Sequence, residues 1–161
     1  KSGELRLISS AGISWLPKSA VPTSNPLLSK YKILMSKVTA EHAGEPDKNG
    51  QFKIVSRTDI IGPNDVCTDS YLIIGESEHK YIVENEYKYI QTRFARFLLM
   101  LAVSSINLSP DKFQFVPIQD FTNQSDIDWN KSIREIDQQL YTKYNLTEDE
   151  IEFIEKMIKP M

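Results

Sequence analysis

Residues 132–160 leave the chain little conformational choice. The run SIREIDQQLYTKY sets Ile133, Ile136 and Leu140 on one helical face. Asn145 follows, a residue type that tolerates the left-handed conformation ending many helices. Thr147 and Glu150 then form a T-x-x-E capping box, in which each side chain serves the other's orphan amide. Leu146 and Ile151 are spaced as the hydrophobic staple across that start. Ile151, Ile154 and Ile158 carry a second apolar face, and Pro160 ends the run. Two helices joined by so short a turn form a helical hairpin, and its apolar faces need a body to rest on.

The upstream residues supply that body. Ile90, Phe94, Phe97, Leu98 and Leu101 recur at helical spacing and predict one long helix from about Glu78 to Ser105. Tyr89, Arg93 and Arg96 fall on a different face of it. YKILMSKVTA and QFKIVSRTDI read as two strands of a hairpin whose long loop contains the Asn49-Gly50 turn signal. VCTDSYLIIG reads as a further, mostly buried strand. FQFVPIQDF reads as a short extended segment interrupted by Pro117. Pro17, Pro22 and Pro26 predict irregular structure over residues 1–30, with one short strand near Leu5–Ile8. The expected fold is α+β: a small, mostly antiparallel sheet packed on one long helix, with a C-terminal helical hairpin. Residues 1–124 are expected to form the α+β domain, and residues 125–161 the hairpin packed on it.

A length of 161 residues suits one domain with a small appendage. The first residue is Lys1, and the expectation is a piece cut from a longer protein. The most apolar run, Phe94 to Ile106, is too short for a membrane span and contains Arg96. A single cysteine, Cys67, excludes an internal disulfide and fits a reducing, cytoplasmic setting. The net charge of −3 hides an asymmetry. Residues 1–60 balance at +4, residues 61–120 at −3 and residues 121–161 at −4. A basic first third permits a face for nucleic acid, although ordinary variation over a solvated surface gives the same pattern.

Catalytic chemistry finds little footing. Cys67, His42 and His79 stand at no zinc-site spacing, so no metal site is expected. G-x-S-x-G, G-x-G-x-x-G and the phosphate-binding P-loop are absent from the sequence. Pro46-Asp47 with Glu78-His79-Lys80 matches the residue types of a magnesium nuclease, whose carboxylates hold the metal while a lysine polarises water. The context argues against it, because Asp47 lies in a turn and Glu78 and Lys80 follow a strand instead of lying on it. Asn25-Pro26 is followed by Leu27-Leu28, so the N-P-P-aromatic segment of adenine-N6 methyltransferases is missing. No catalytic residue is assigned.

A basic constellation remains. Lys32, Lys37, Lys53 and Arg57 lie on the expected hairpin among Tyr31, Ser36 and Thr58, and Arg93 and Arg96 lie off the apolar stripe of the helix. Lysine and arginine neutralise phosphates, arginine pairs bidentately with guanine, and hydroxyls add contacts. A solvated strand face has the same composition.

The segments CTDSYLIIG, YIQTRFARFLLML, VPIQDF, DIDW and LYTKYNLTEDEIEFIE, spread over about residues 66–161, give this constellation a context. They resemble the C-terminal target-recognition region of type II restriction-modification enzymes and adenine-specific DNA methyltransferases. The resemblance implies a non-catalytic domain that binds duplex DNA and helps select its sequence. A separate portion of the parent chain would bind S-adenosylmethionine and methylate a flipped adenine. The residues expected at the DNA are Ser36, Lys37, Arg57, Thr58, Arg93 and Arg96. A protein-interaction module docking onto the methyltransferase portion or another subunit is the alternative, and a magnesium nuclease is a third reading.

Overall fold

The computed structural model describes residues 4–40, 45–105 and 107–161. The strands are β1 (Glu4–Ser9), β2 (Gly12–Pro17), β3 (Tyr31–Ser36), β4 (Thr58–Ile61), β5 (Asp65–Cys67) and β6 (Tyr71–Ser77). The α-helices are α1 (Lys80–Gln91), α2 (Arg93–Ala102), α3 (Ile133–Lys143) and α4 (Glu148–Met157). The class is α+β, as the patterning requires, but the strands divide between two three-stranded sheets. One has the order β2-β1-β5, with β1 antiparallel to β2 and parallel to β5. The other has the order β4-β3-β6 and is antiparallel throughout. Ile8, Leu34, Ile61 and Tyr71 form the small core between them. The larger core joins Met35 and Leu72 of the second sheet to Ile90, Phe94 and Leu99 and to Ile136, Leu140, Ile154 and Ile158 of the tail. The tail hairpin is therefore part of the main core.

The tail forms as its capping signals dictate. Asn145 takes φ 53°, and the Leu146 amide donates to the Tyr141 carbonyl at 3.0 Å. Both halves of the Thr147–Glu150 capping box are present. A second box, Ser132–Glu135, starts α3 in the same way.

The long helix expected from Glu78 to Ser105 is two helices, broken at Thr92. Thr92 has φ −63° and ψ 152°, an extended geometry that ends α1 and caps α2. Its hydroxyl accepts from the Ala95 amide at 3.1 Å and donates to the Tyr89 carbonyl at 2.5 Å. From α3, Asp137 accepts the amides of Arg93 and Phe94 at 3.0 and 2.9 Å. Threonine is a good N-cap, and the buried carboxylate satisfies the free amides of the buried helix start. A one-residue break leaves the spacing of apolar side chains almost unchanged, so periodicity alone cannot reveal it.

Other segments also part from the expected pattern. VCTDSYLIIG is two strands in different sheets, separated by a turn in which the Tyr71 amide donates to the Thr68 carbonyl. QFKIVSRTDI enters a strand only at Thr58, where β4 begins. Upstream, buried Ile54 holds φ 66°, a strained value for a β-branched residue, and the Val55 amide turns back to the Lys53 carbonyl. Pro110–Phe115 is a 3₁₀ helix, where an extended segment was expected from Phe113 onward. The proline-bearing N-terminal region contains the β1–β2 hairpin; Pro22 and Pro26 lie outside it, and Pro17 sits at the end of β2.

Candidate nucleic-acid interface

Four of the six expected contact residues meet at one corner of the second sheet. Ser36 ends β3 and Thr58 begins β4, and the Ser36 amide donates to the Arg57 carbonyl at 2.8 Å. Lys37 leaves the sheet beside them, its amide bound to the Ser70 carbonyl and its carbonyl to the Leu108 amide. Arg57 is exposed. Its guanidinium donates to the Tyr71 hydroxyl at 3.1 Å and stands 5.6 Å from the centre of that ring.

Each of the two cations already has a carboxylate. Lys37 Nζ lies 2.6 Å from Asp69, and Arg57 Nε lies 2.6 Å from Asp59. The Asp69 side chain is fully solvent-exposed, and both side chains of the Arg57 pair are nearly half exposed. Such pairs contribute only about 0–1 kcal/mol, so a phosphate oxygen can displace the carboxylate at little cost. The hydroxyls are less available. Ser36 Oγ accepts from the Val38 amide, and Thr58 Oγ1 is buried without a hydrogen-bond partner.

Arg93 and Arg96 do not join this corner. Arg96 is 1% exposed. Its Nε donates to the carbonyls of Gln91 and Thr92, Nη1 to Lys53 at 3.1 Å and Nη2 to Lys159 at 2.7 Å. It ties the helix break to the strained Ile54 segment and to the residues that follow α4, and cannot reach a duplex without unfolding. Arg93 is mostly buried and faces Glu155 at 3.4 Å. The expectation for Arg96 as a DNA contact is therefore corrected: the face opposite the apolar stripe is covered by the tail. Lys32 is also interior, with Nζ donating to the carbonyls of Leu27, Lys30 and Gly62. Burial lowers its pKa from the ordinary lysine value.

Two of the nuclease residues, Asp47 and Lys80, have structural duties. Asp47 accepts the amides of Asn49 and Gln51 and pairs with Lys159, and these contacts hold its pKa below the usual carboxylate range. Lys80 pairs with Glu84 along α1. Among the described residues, no group of three His, Cys, Asp or Glu side chains is placed to hold a metal ion. His42 lies outside the described residues. Cys67 is half-buried, and burial pushes its thiol pKa up, against a role as nucleophile.

Two concave surfaces were not visible in the sequence. An apolar groove of about 460 Å³ between α2 and α4 is lined by Phe97, Leu98, Leu146 and Phe153, with Asp149 and Glu150 at its rim. A cavity of about 400 Å³ lies between β6, α1 and the 110–121 segment and includes Glu86 in its wall. The segments VPIQDF and DIDW pack near that cavity: Trp129 is buried, donates to the Asp120 carbonyl and meets Phe121 at 5.2 Å between ring centres. No helix among the described residues is long and apolar enough to cross a membrane. No protein-family model matches the chain, and neither a curated protein nor a solved structure matches it.

Proposed function

We propose that this domain is a non-catalytic target-recognition module of a restriction-modification enzyme, which positions duplex DNA for adenine-N6 methylation by another portion of its parent chain. The meeting of Ser36, Lys37, Arg57 and Thr58 at one sheet corner carries this reading. Lys37 and Arg57 are the phosphate contacts, and Asp59 and Asp69 are the groups that DNA displaces. S-adenosylmethionine belongs to the methyltransferase portion, and such a role is cytoplasmic. Fluorescence anisotropy with duplex DNA at two salt concentrations tests the contact. Lys37→Ala and Arg57→Ala are each expected to weaken binding to every sequence and to lower the salt slope by about one. Unchanged affinity and slope in both variants would reject the corner as the contact surface.

The groove between α2 and α4 favours a second reading, a module that docks onto the methyltransferase portion or another subunit. Phe153 is 53% exposed there and lies edge-on to Phe97 at 5.9 Å. In the full-length parent enzyme, Phe153→Asp is expected to loosen that assembly under this reading while leaving the affinity of the isolated domain for duplex DNA intact.

A further inference from the structure

The carboxyl group of Glu86 has no evident structural duty. It projects from α1 over Gly75 of β6, where any side chain would collide with it. The sheet is irregular at this point: Ile33 pairs with Gly75 and Leu34 with Ile73, so Ile74 is the extra residue of a bulge. Bulge and glycine together leave a notch that the carboxyl group fills. No hydrogen bond or ion pair reaches that group from the described residues. The charge that acts on it is of the same sign, from Glu76, which is itself paired with Lys30 at 2.6 Å. Burial and this repulsion raise the Glu86 pKa to about 7. A half-buried carboxyl group with no protein donor, at the wall of a cavity, keeps its oxygens available to a charged donor from outside.

Its surroundings indicate what would satisfy it. The adjoining cavity, about 400 Å³, is mainly apolar and is lined by Ile73, Tyr89, Phe113 and Phe121. The Tyr89 hydroxyl is committed to the Pro117 carbonyl at 2.8 Å, so the rings offer faces and edges and leave Glu86 as the charged group. Ile118, at the rim, is 95% exposed. A volume in this range suits a small organic molecule. An apolar body would lie against the aromatic rings and a cationic head would meet the carboxylate.

We infer that this cavity is a binding site for a small organic ammonium ligand, with Glu86 as its counter-ion and the aromatic wall as its apolar seat. The inference is independent of the DNA corner, which lies on other residues. The test uses the whole chain at about pH 8, where the Glu86 carboxyl is ionised. Amide and methyl NMR shifts are followed during titration with 2-phenylethylammonium and with its uncharged counterpart 2-phenylethanol. The ammonium is expected to shift Ile73, Phe113 and Phe121 saturably and to bind about tenfold more tightly than the alcohol. Glu86→Gln is isosteric and removes a buried charge, so it is expected to fold, to bind both probes equally and to leave alcohol affinity unchanged. Equal binding of the two probes by the unaltered protein, a preference that survives Glu86→Gln, or the absence of saturable shifts at the cavity would each overturn the assignment.

Discussion

Arg96→Met separates a structural arginine from a DNA-reading one. Methionine keeps the aliphatic stem and volume inside the core and removes the guanidinium. Four carbonyl acceptors, those of Gln91, Thr92, Lys53 and Lys159, then lose a charged donor. Hydrogen bonds to a charged group are worth about 1.5–3 kcal/mol each, and breaking a buried charged network by removing one partner costs about 3–5 kcal/mol. Two effects offset part of this. The guanidinium no longer has to be desolvated, and Ile54, freed from the clamp on Lys53, relaxes from φ 66°. The expected loss is about 3 kcal/mol, the lower end of that range. For a chain of this length it appears as a fall of about 6–12 °C in Tm. Urea unfolding followed by circular dichroism and by tryptophan fluorescence measures it, with an unchanged m-value confirming that the native fold is retained. Arg96→Lys is expected to recover less than half, because one ammonium cannot span acceptors on three separate segments. Duplex affinity of the folded variant should match that of the unaltered protein. A stability within about 0.5 kcal/mol of the parent, or a loss of DNA affinity at full stability, would refute the structural role.

Glu86 makes stability depend on pH. Its folded pKa of about 7 lies above the ordinary 4.5, so the folded protein holds this proton more tightly than the unfolded chain. The contribution is complete below about pH 4.5 and is lost as the pH rises towards 7, by at most about 3 kcal/mol. Glu86→Gln should remove that slope and be the more stable protein at about pH 8, as chemical denaturation at several pH values will show. Thr147→Ala removes the hydroxyl that accepts the Glu150 amide and should cost about 1 kcal/mol, read as a shift in urea midpoint. Gly75→Ala turns the flexible end of Glu86 aside towards the adjoining cavity and should cost less than about 1 kcal/mol in the same measurement.

Local chemistry was legible in the sequence where it acts over a few residues. Thr147, Glu150 and Asn145 declare the end of one helix and the start of the next, and the tail folds accordingly. The β3–β4 pairing followed from two β-rich runs across a turn-rich loop. The break at Thr92 was not legible, because the carboxylate that meets the new helix start, Asp137, lies 44 residues beyond Arg93 and reaches its amide only through tertiary packing. The same long-range packing explains Arg96. A helical wheel places it off the apolar stripe, but the tail covers that side and supplies the Lys159 carbonyl as a partner. Of the proposed DNA corner, the residue set Ser36, Lys37, Arg57 and Thr58 could be read from the hairpin, whereas the carboxylates of Asp59 and Asp69 could not be assigned to the cations without coordinates. Gly75, at the end of an apolar run, was the sole trace of the Glu86 notch.

That notch ties two positions into one unit of change. A methyl group at residue 75 fits only when the end of a glutamate at position 86 swings aside, so a change at one position is felt at the other. Sequences descended from a common ancestor should pair glycine at 75 with a long side chain at 86, or a larger residue at 75 with a shortened one, more often than chance. Such covariation would record the steric bargain between strand and helix long after overall identity has faded.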